Sequence, residues 1–425
     1  MDEKRYSFQS KLLICLTVAV VATFFGVAVK TVTPVVTGWA DKSQQSQSDV
    51  PDAPEVDGPQ ISLDPNLSAE NTLSEGEAVF AGTTPGGISY IVYNENDAGY
   101  IATIAKNSVA ASTAPIGAKA AIACLTDSGV AIAADTDEGY VVYFVDEQGS
   151  VSKSLRTYPG EIPVYMGCYD GQTAVIFRSE GAAGKRIVFR LYDDGSEICE
   201  RYSGTTYEPQ PIQIYRIGNN FTVFFRYRSQ FTKGGGYAVF STDTVSVIVA
   251  EIERSSGYDF LSVIPSQSSY AMLCSDAEGA FIMQLDQNMQ RSKKYQLTNY
   301  SVNDGKLSFD GKNYYAFVGG ATEGRMFRLE QLGDTPYRIS AYDDGTAIAG
   351  EYNTGGALLH LMKSKTGFFL TDTNGLFTKK VTKPDAKPIA LLKTGGSAAA
   401  VCNIMSGDNQ NGENVAESVY IALFN

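Results

Sequence analysis

Residues 139–155 read GYVVYFVDEQGSVSKSL, an apolar run followed by a turn cluster and a shorter run in which polar residues alternate. The same pattern returns at 184–200 as GKRIVFRLYDDGSEICE and at 367–381 as GFFLTDTNGLFTKKV. Short apolar runs bounded by Gly, Asn and Asp are typical of β-strands joined by tight turns. The chain therefore repeats one unit built from strands, and the number of repeats decides the fold.

Each unit is predicted to hold four strands, of which the third is the clearest marker. These markers begin at residues 100, 140, 186, 237, 280, 325, 368 and 418, so they recur every 40 to 51 residues. Four antiparallel strands at this period indicate one blade of a β-propeller. Stacked blades bury both faces of every sheet, which explains strands that are apolar on both faces, such as 221–225 (FTVFF). We count eight blades over 77–425, with seven as the alternative because the unit at 347–387 is irregular.

The last unit, 388–425, contains three strands and lacks the fourth. An open sheet edge invites aggregation, and closing the ring removes it. The segment before the first unit contains one short apolar-polar alternation at 60–63, QISL. We therefore expect residues 59–65 to supply the missing strand.

At the level of this repeat, the chain resembles the β-propeller superfamily over about 350 residues. Eight-bladed relatives include quinone-cofactor dehydrogenases and an outer-membrane assembly lipoprotein. Their blades usually carry a recurrent tryptophan, whereas the single tryptophan here is Trp39, before the repeats. The WD dipeptide and the sialidase-type SxDxGxTW box are also absent from the sequence. The resemblance therefore implies the fold and no particular family.

The N-terminal region predicts a membrane anchor. Residues 12–29 form an uncharged apolar run of 18 residues, close to the ~20 needed to cross a bilayer. Basic residues precede it, which predicts a cytoplasmic N-terminus at 1–11, a single transmembrane helix at 12–30 and an external propeller. The alternatives are a cleaved signal peptide with a cleavage site near Gly38-Trp39-Ala40, or a lipoprotein site. Residues 41–76 contain eight acids and one lysine, and this composition predicts a disordered tether.

Composition excludes several kinds of chemistry. The net charge of −13 argues against a nucleic-acid partner. Six scattered cysteines without a CxxC motif argue against a disulfide framework or a zinc site, and the five beyond residue 15 are expected to be small buried side chains. The single histidine, His360, lies in an apolar run, GALLHLMK, where a packed side chain is expected. We therefore predict no metal, no cofactor and no catalytic residue.

One stretch, 221–237 (FTVFFRYRSQFTKGGGY), concentrates positive charge and aromatic rings in an otherwise acidic chain. It covers the end of a second strand and the loop that follows, with the glycine run expected to form a flexible hairpin loop. The corresponding loops at 179–185 and 406–417 are also long, so one rim of the propeller is predicted to be elaborated. Arginine and aromatic residues are enriched at interfaces. The predicted binding residues are Arg226, Arg228, Phe231 and Lys233; the alternative is a basic surface loop that balances neighbouring acids.

The sequence thus predicts a membrane-anchored extracytoplasmic propeller that acts as a binding or scaffold module for a protein or cell-envelope partner. The alternative is a hydrolase or lyase that acts on a cell-surface polysaccharide or peptide through carboxylates in the propeller channel. Two carboxylates converging in a deep central pocket would favour the enzyme.

Overall fold

The computed structural model describes residues 67–425, apart from positions 155, 182–183, 206–207, 229–232, 245–246, 254–256, 266–268, 287, 301, 321–322, 331–335, 344–345, 354–357, 374–377, 407–414 and 425. Within this part lie 32 β-strands in eight antiparallel four-stranded sheets. The all-β, eight-bladed propeller is confirmed, and the seven-blade alternative is wrong. No helix in the described part is long and apolar enough to cross a bilayer. The predicted anchor at 12–30 lies outside the described residues.

The first four blades follow the chain without interruption, each as a simple meander from the innermost to the outermost strand. Blade 1 contains β2 (Glu77–Thr83), β3 (Ser89–Glu95), β4 (Ala98–Ile104) and β5 (Ala111–Pro115). Blade 2 contains β6 (Lys119–Thr126), β7 (Gly129–Thr136), β8 (Gly139–Asp146) and β9 (Val151–Lys153). Blade 3 contains β10 (Glu161–Tyr169), β11 (Gln172–Gly181), β12 (Gly184–Asp193) and β13 (Ser196–Thr205). Blade 4 contains β14 (Gln210–Ile217), β15 (Asn220–Arg228), β16 (Lys233–Ser241) and β17 (Val247–Glu253).

Blades 5 to 7 repeat this meander, and blade 8 takes one strand from the other end of the described chain. Blade 5 contains β18 (Asp259–Pro265), β19 (Tyr270–Ser275), β20 (Ala280–Leu285) and β21 (Arg291–Gln296). Blade 6 contains β22 (Val302–Phe309), β23 (Tyr314–Gly320), β24 (Glu323–Leu329) and β25 (Tyr337–Asp343). Blade 7 contains β26 (Ala347–Asn353), β27 (Leu358–Ser364), β28 (Gly367–Asp372) and β29 (Thr378–Thr382). Blade 8 contains β30 (Ala386–Thr394), β31 (Ser397–Met405), β32 (Ala416–Phe424) and β1 (Leu67–Glu75).

The hydrophobic core is divided into clusters that each lie between two neighbouring blades. Strand β15 shows how one strand serves two of them. Phe221, Val223 and Phe225 pack toward blade 3, whereas Phe224 packs toward blade 5. Because successive side chains of a strand point to opposite faces, a strand between two blades must be apolar on both. This confirms the explanation offered for the FTVFF run.

The first strand of every blade carries a β-bulge near its beginning. At the bulge one residue of the first strand has no partner in the second strand, so two residues of the first strand lie opposite one residue of the second. The bulges recur every 40 to 49 residues and therefore mark equivalent positions in the eight blades. The bulged residues are Val79, Ala121, Val164, Ile212, Leu261, Asn303, Ala349 and Ile389.

The ring is closed by β1, which pairs antiparallel with β32 from Leu67 opposite Phe424 to Glu75 opposite Ser418. Closure by the N-terminal segment is confirmed, but the predicted range of 59–65 is wrong. Ala69 and Leu73 pack against the core between blades 8 and 1, which places this later segment in the open edge. The strand lies inside the segment expected to be a tether, so the propeller begins before residue 77.

Candidate functional site

The predicted binding residues lie at one end of the β15–β16 hairpin in blade 4. Arg226 and Arg228 are in β15, and Lys233 begins β16 opposite Arg228. Phe231 lies outside the described residues. Tyr227, between the two arginines, is buried. The structure therefore brings three of the four predicted positions together on the rim that carries the turns between second and third strands.

Arg226 is held by blade 5. Its Nε donates a hydrogen bond to Gln210 Oε1 at 3.3 Å, and its Nη1 donates to the carbonyl of Phe260 at 3.3 Å. The same Nη1 lies 3.9 Å from Oδ1 of Asp259, a carboxylate that is only 6% exposed. The Arg226 side chain is itself 29% exposed. These contacts join two blades, so much of the hydrogen-bonding capacity of this guanidinium is used inside the propeller.

Two asparagines at the equivalent position in other blades make a similar contact. We call this position the brace position: it is the residue of the second strand that pairs with the first-strand residue two places before the bulge. Asn94 brackets Ala120 of the next blade, accepting from its backbone N at 2.8 Å and donating to its O at 2.8 Å. Asn403 brackets Ala78 at 2.8 and 3.1 Å. Ala120 and Ala78, like Phe260, directly precede a bulge, where the ladder leaves backbone groups that need another partner.

The glycine run after Lys233 belongs to strand β16, and the expected flexible loop is wrong. Gly234, Gly235 and Gly236 are all buried. A Cβ atom at Gly235 would lie 2.1 Å from Cδ2 of Phe260 and 2.4 Å from the carbonyl oxygen of Phe225. The run therefore lets Phe260 of blade 5 pack directly on the backbone of blade 4.

The hairpins on this rim differ in height from blade to blade. The ladder of β11–β12 continues for three pairs beyond the brace position, to Gly181, and that of β15–β16 for two pairs, to Arg228. The ladder of β31–β32 continues for two pairs, to Met405. In blade 1 it continues for one pair, to Glu95, and in blade 5 it stops at Ser275. Blades 3 and 4 thus carry neighbouring tall hairpins, in agreement with the predicted elaboration of this rim.

Charges on the two tall hairpins are used differently. Arg178, at the brace position of blade 3, pairs with Glu208 just before blade 4, and Lys185 Nζ reaches the same carboxylate at 2.8 Å. The hydrogen bond from Lys185, followed by the charge of Arg178, lowers the pKa of Glu208 although partial burial opposes the shift. Lys233 is exposed and makes no hydrogen bond or ion pair with the described residues. The described part of the propeller therefore does not use its ammonium group.

A buried arginine between blades 2 and 3 was not indicated by the sequence. Arg190 of β12 is 1% exposed and is held by Glu161 and by Glu200, whose Oε2 lies 3.2 Å from Nη2. Its guanidinium also lies 4.0 Å from the centroid of the Tyr158 ring, and Tyr158 donates to Glu197 at 2.5 Å. Three carboxylates of blade 3 converge here on a guanidinium of the same blade, so they form a structural network within it.

His360 is fully buried in β27, as expected of a packed side chain. Its Nδ1 lies 3.7 Å from Glu351 Oε2, and burial lowers the pKa of His360 to about 4. Glu351 accepts a 2.5 Å hydrogen bond from Ser308 and lies 3.2 Å from Lys306 Nζ. Neither ring nitrogen of His360 has a hydrogen-bond partner in the described part of the chain. Glu351 is thus engaged with Ser308 and Lys306.

The five described cysteines are unpaired, and four of them are buried, which confirms the expectation for these four. Cys168 is half-buried. Among the described residues, no group of three or more histidine, cysteine, aspartate or glutamate side chains is arranged to hold a metal ion.

Comparison with known proteins supports the fold alone. No protein-family model matches the chain, and no curated protein sequence matches it. The structure of the Dos1 propeller is similar, with a TM-score of 0.55 and 12% identity over 85% of this chain and 94% of that one. A prolyl endopeptidase structure has a TM-score of 0.51 and 10% identity over 78% of this chain and 55% of that one. At these identities the chain has the β-propeller fold, shared with propeller domains of diverse families.

Proposed function

We propose that this protein is a membrane-anchored binding or scaffold module whose partner contacts the rim at blades 3 and 4. The observation that carries the proposal is the pair of neighbouring tall hairpins, β11–β12 and β15–β16. The exposed side chain of Lys233 lies at the end of the second hairpin, where β16 begins. Loops and hairpins that project from a rigid scaffold are the usual place for recognition. An anionic or aromatic partner surface is the best complement to this end of blade 4.

Three of the five carboxylates in the first strands lie near cations, which favours binding over hydrolysis. Glu161 is held by Arg190, Asp259 lies near Arg226, and Glu351 lies 3.2 Å from Lys306. A glycosidase pair needs one carboxyl group that stays protonated and a second that is free to act. Carboxylates engaged with cations are poor candidates for either part.

Position-specific photocrosslinking tests the rim. A photoreactive amino acid replaces Lys233 in the full-length chain in its native membrane, and a matched variant carries it at Lys312. Lys312 is also exposed but lies in the turn between first and second strands of blade 6, on the opposite rim. We expect a discrete crosslinked partner from position 233 and none from position 312. Equal products from both positions, or none from either, would contradict the proposed surface.

The membrane anchor is part of the same proposal and rests on the apolar run at 12–29 and its basic flank. If the propeller lies outside the cytoplasm, protease added to intact, wall-stripped cells should digest it. Digestion only after the membrane is permeabilised would place the propeller inside. A cytoplasmic reporter protein that survives the same treatment is the control for cell integrity.

A further inference from the structure

A cavity of about 320 Å³ lies between the outer strands of blade 1 and the turn that joins β8 to β9 in blade 2. Its apolar base includes Ile101, Ile116 and Val145, which belong to the core between these blades. Asp146 and Glu147 lie at the turn side of the cavity. Its volume is at the lower end of the range for small-ligand pockets, about 300–1,000 Å³.

The cavity wall includes a tyrosine side chain that is mostly buried. Tyr90 is 3% exposed and lines the cavity, yet its hydroxyl makes no hydrogen bond with any residue that the structure describes. The hydroxyl oxygen itself is not fully enclosed by protein, so water in the cavity can reach it. Burial first, and then the charges of Glu147 and Asp146, raise the pKa of Tyr90, so the phenol stays neutral. A ligand in the cavity would replace water as the partner of this hydroxyl.

The two carboxylates of the cavity keep oxygens that the fold does not use. Asp146 Oδ1 accepts the backbone N–H groups of Gln148 at 2.9 Å and Ser150 at 2.8 Å, which leaves Oδ2. Glu147 makes one long contact, 3.5 Å from its Oε1 to Oγ1 of Thr84. No lysine or arginine is among the lining residues. The cavity therefore has two negative charges and no positive one.

An equivalent turn in blade 5 shows that Glu147 is not needed to form the turn between β8 and β9. In blade 5, Asp286 Oδ1 accepts the N–H groups of Asn288 and Gln290, both at 2.8 Å. The residue after this aspartate is Gln287, where blade 2 has Glu147. The same turn thus forms without a second acid, so local structure does not account for the charge at Glu147.

We propose that the cavity between blades 1 and 2 binds an alkylammonium group, with the aliphatic chain on Ile101 and Val145. The ammonium donates to the Tyr90 hydroxyl oxygen and to the carboxylates of Asp146 and Glu147. An ammonium has three donors and no acceptor, which matches these oxygens. The group belongs either to a free aliphatic amine or to a lysine side chain of another protein. The site is independent of the rim proposed above.

Titration calorimetry of the full-length chain tests this site with two probes, the diamine cadaverine and N-acetyl-lysine methylamide. We expect saturable binding of at least one probe. Tyr90→Phe and Glu147→Gln should each weaken it by about tenfold, because each removes a hydrogen bond to a charged group. Glu138→Gln is the control, since it removes an exposed carboxylate from the opposite end of the same blade and should leave the affinity unchanged.

The outcomes separate the two sources of the group. Binding of cadaverine alone assigns a free amine, whereas binding of the lysine derivative assigns a protein side chain. The proposal is overturned if neither probe binds at millimolar concentration, or if both variants keep wild-type affinity while their melting temperatures match the wild type. Binding of a neutral sugar such as methyl glucoside, without a response to either amine, would also overturn it.

Discussion

The single histidine of the chain shows how burial alone changes the chemistry of a residue. His360 has no exposed surface, and the nearest carboxylate oxygen, on Glu351, is 3.7 Å away. Burial disfavours the charged ring more than Glu351 favours it, so the pKa falls to about 4. In the unfolded chain the pKa of a histidine is about 6.5. Between these two values, the unfolded chain binds a proton that the folded chain does not.

This difference predicts an acid-dependent loss of stability. His360 imposes no such penalty above about pH 6.5, and the penalty grows as the pH falls toward 4, reaching about 2 kcal/mol at pH 5. Urea unfolding of the wild type and of His360→Leu at pH 7 and pH 5 measures it. The wild type should lose more free energy of unfolding than the variant over this interval. An equal loss in both proteins would show that His360 does not contribute.

The residues predicted to bind show where sequence reasoning reaches its limit. The concentration of charge at 226–233 was visible in the sequence, and its position on an elaborated rim agrees with the structure. The engagement of Arg226 was not visible, because its partners Phe260 and Asp259 belong to the next blade, more than 30 positions away. Alignment of Asn94, Arg226 and Asn403 relative to the bulges would have indicated it. That alignment requires knowing which residues pair between neighbouring strands, and short apolar runs do not define this register.

At the scale of the element, the bulged first strand and the brace position of the preceding blade act together at three junctions, those of Asn94, Arg226 and Asn403. The bulge leaves backbone groups outside the regular ladder, and a side chain of the neighbouring blade satisfies them. Asparagine does this through its own amide, as at Asn403, and Arg226 does it through one guanidinium nitrogen. The contact adds a polar connection between two sheets whose main contact is through apolar side chains.

This contact predicts different effects of two substitutions in the same hairpin. Arg226→Ala should lower the free energy of unfolding by about 1–3 kcal/mol, because it removes a contact between blades and a cation near the buried Asp259. Lys233→Ala should change it by less than about 0.5 kcal/mol, since the side chain is exposed. Chemical denaturation of both variants measures the difference. Indistinguishable midpoints would show that Arg226 does not brace the blades.

The strands themselves were predictable where their side chains are apolar. The third strand of each of the eight blades lies at its predicted marker, from β4 to β32, because these strands are buried between neighbours. Strand β1 was missed because its sequence, LSAENTLSE, is mostly polar. As the outermost strand it buries only a few side chains, among them Ala69 and Leu73. Its structure depends on pairing with β32, a contact to the other end of the chain.

At the scale of the whole molecule, stability depends on a ring of blades that is joined by non-covalent contacts. Eight buried clusters connect the blades in sequence, and one of them joins blade 8 to blade 1. Strand β1 adds a second connection at this junction. It pairs along β32, and Asn71 Nδ2 donates at 3.0 Å to the carbonyl of Val109 in blade 1. The junction therefore contains the first and last described strands of the chain.

Removal of β1 is predicted to destabilise the entire propeller. A fragment spanning 77–425 should melt at a temperature lower by on the order of 5 °C or more than one spanning 67–425. The reason is that it exposes the edge of β32 and loses the contacts of Ala69 and Leu73. A synthetic peptide of residues 67–76 should restore the melting temperature of the shorter fragment, whereas a scrambled peptide should not. Calorimetry of the two fragments, with and without peptide, measures both effects. Equal melting of the fragments would mean that the apolar clusters alone hold the ring closed, and that β1 only covers an edge.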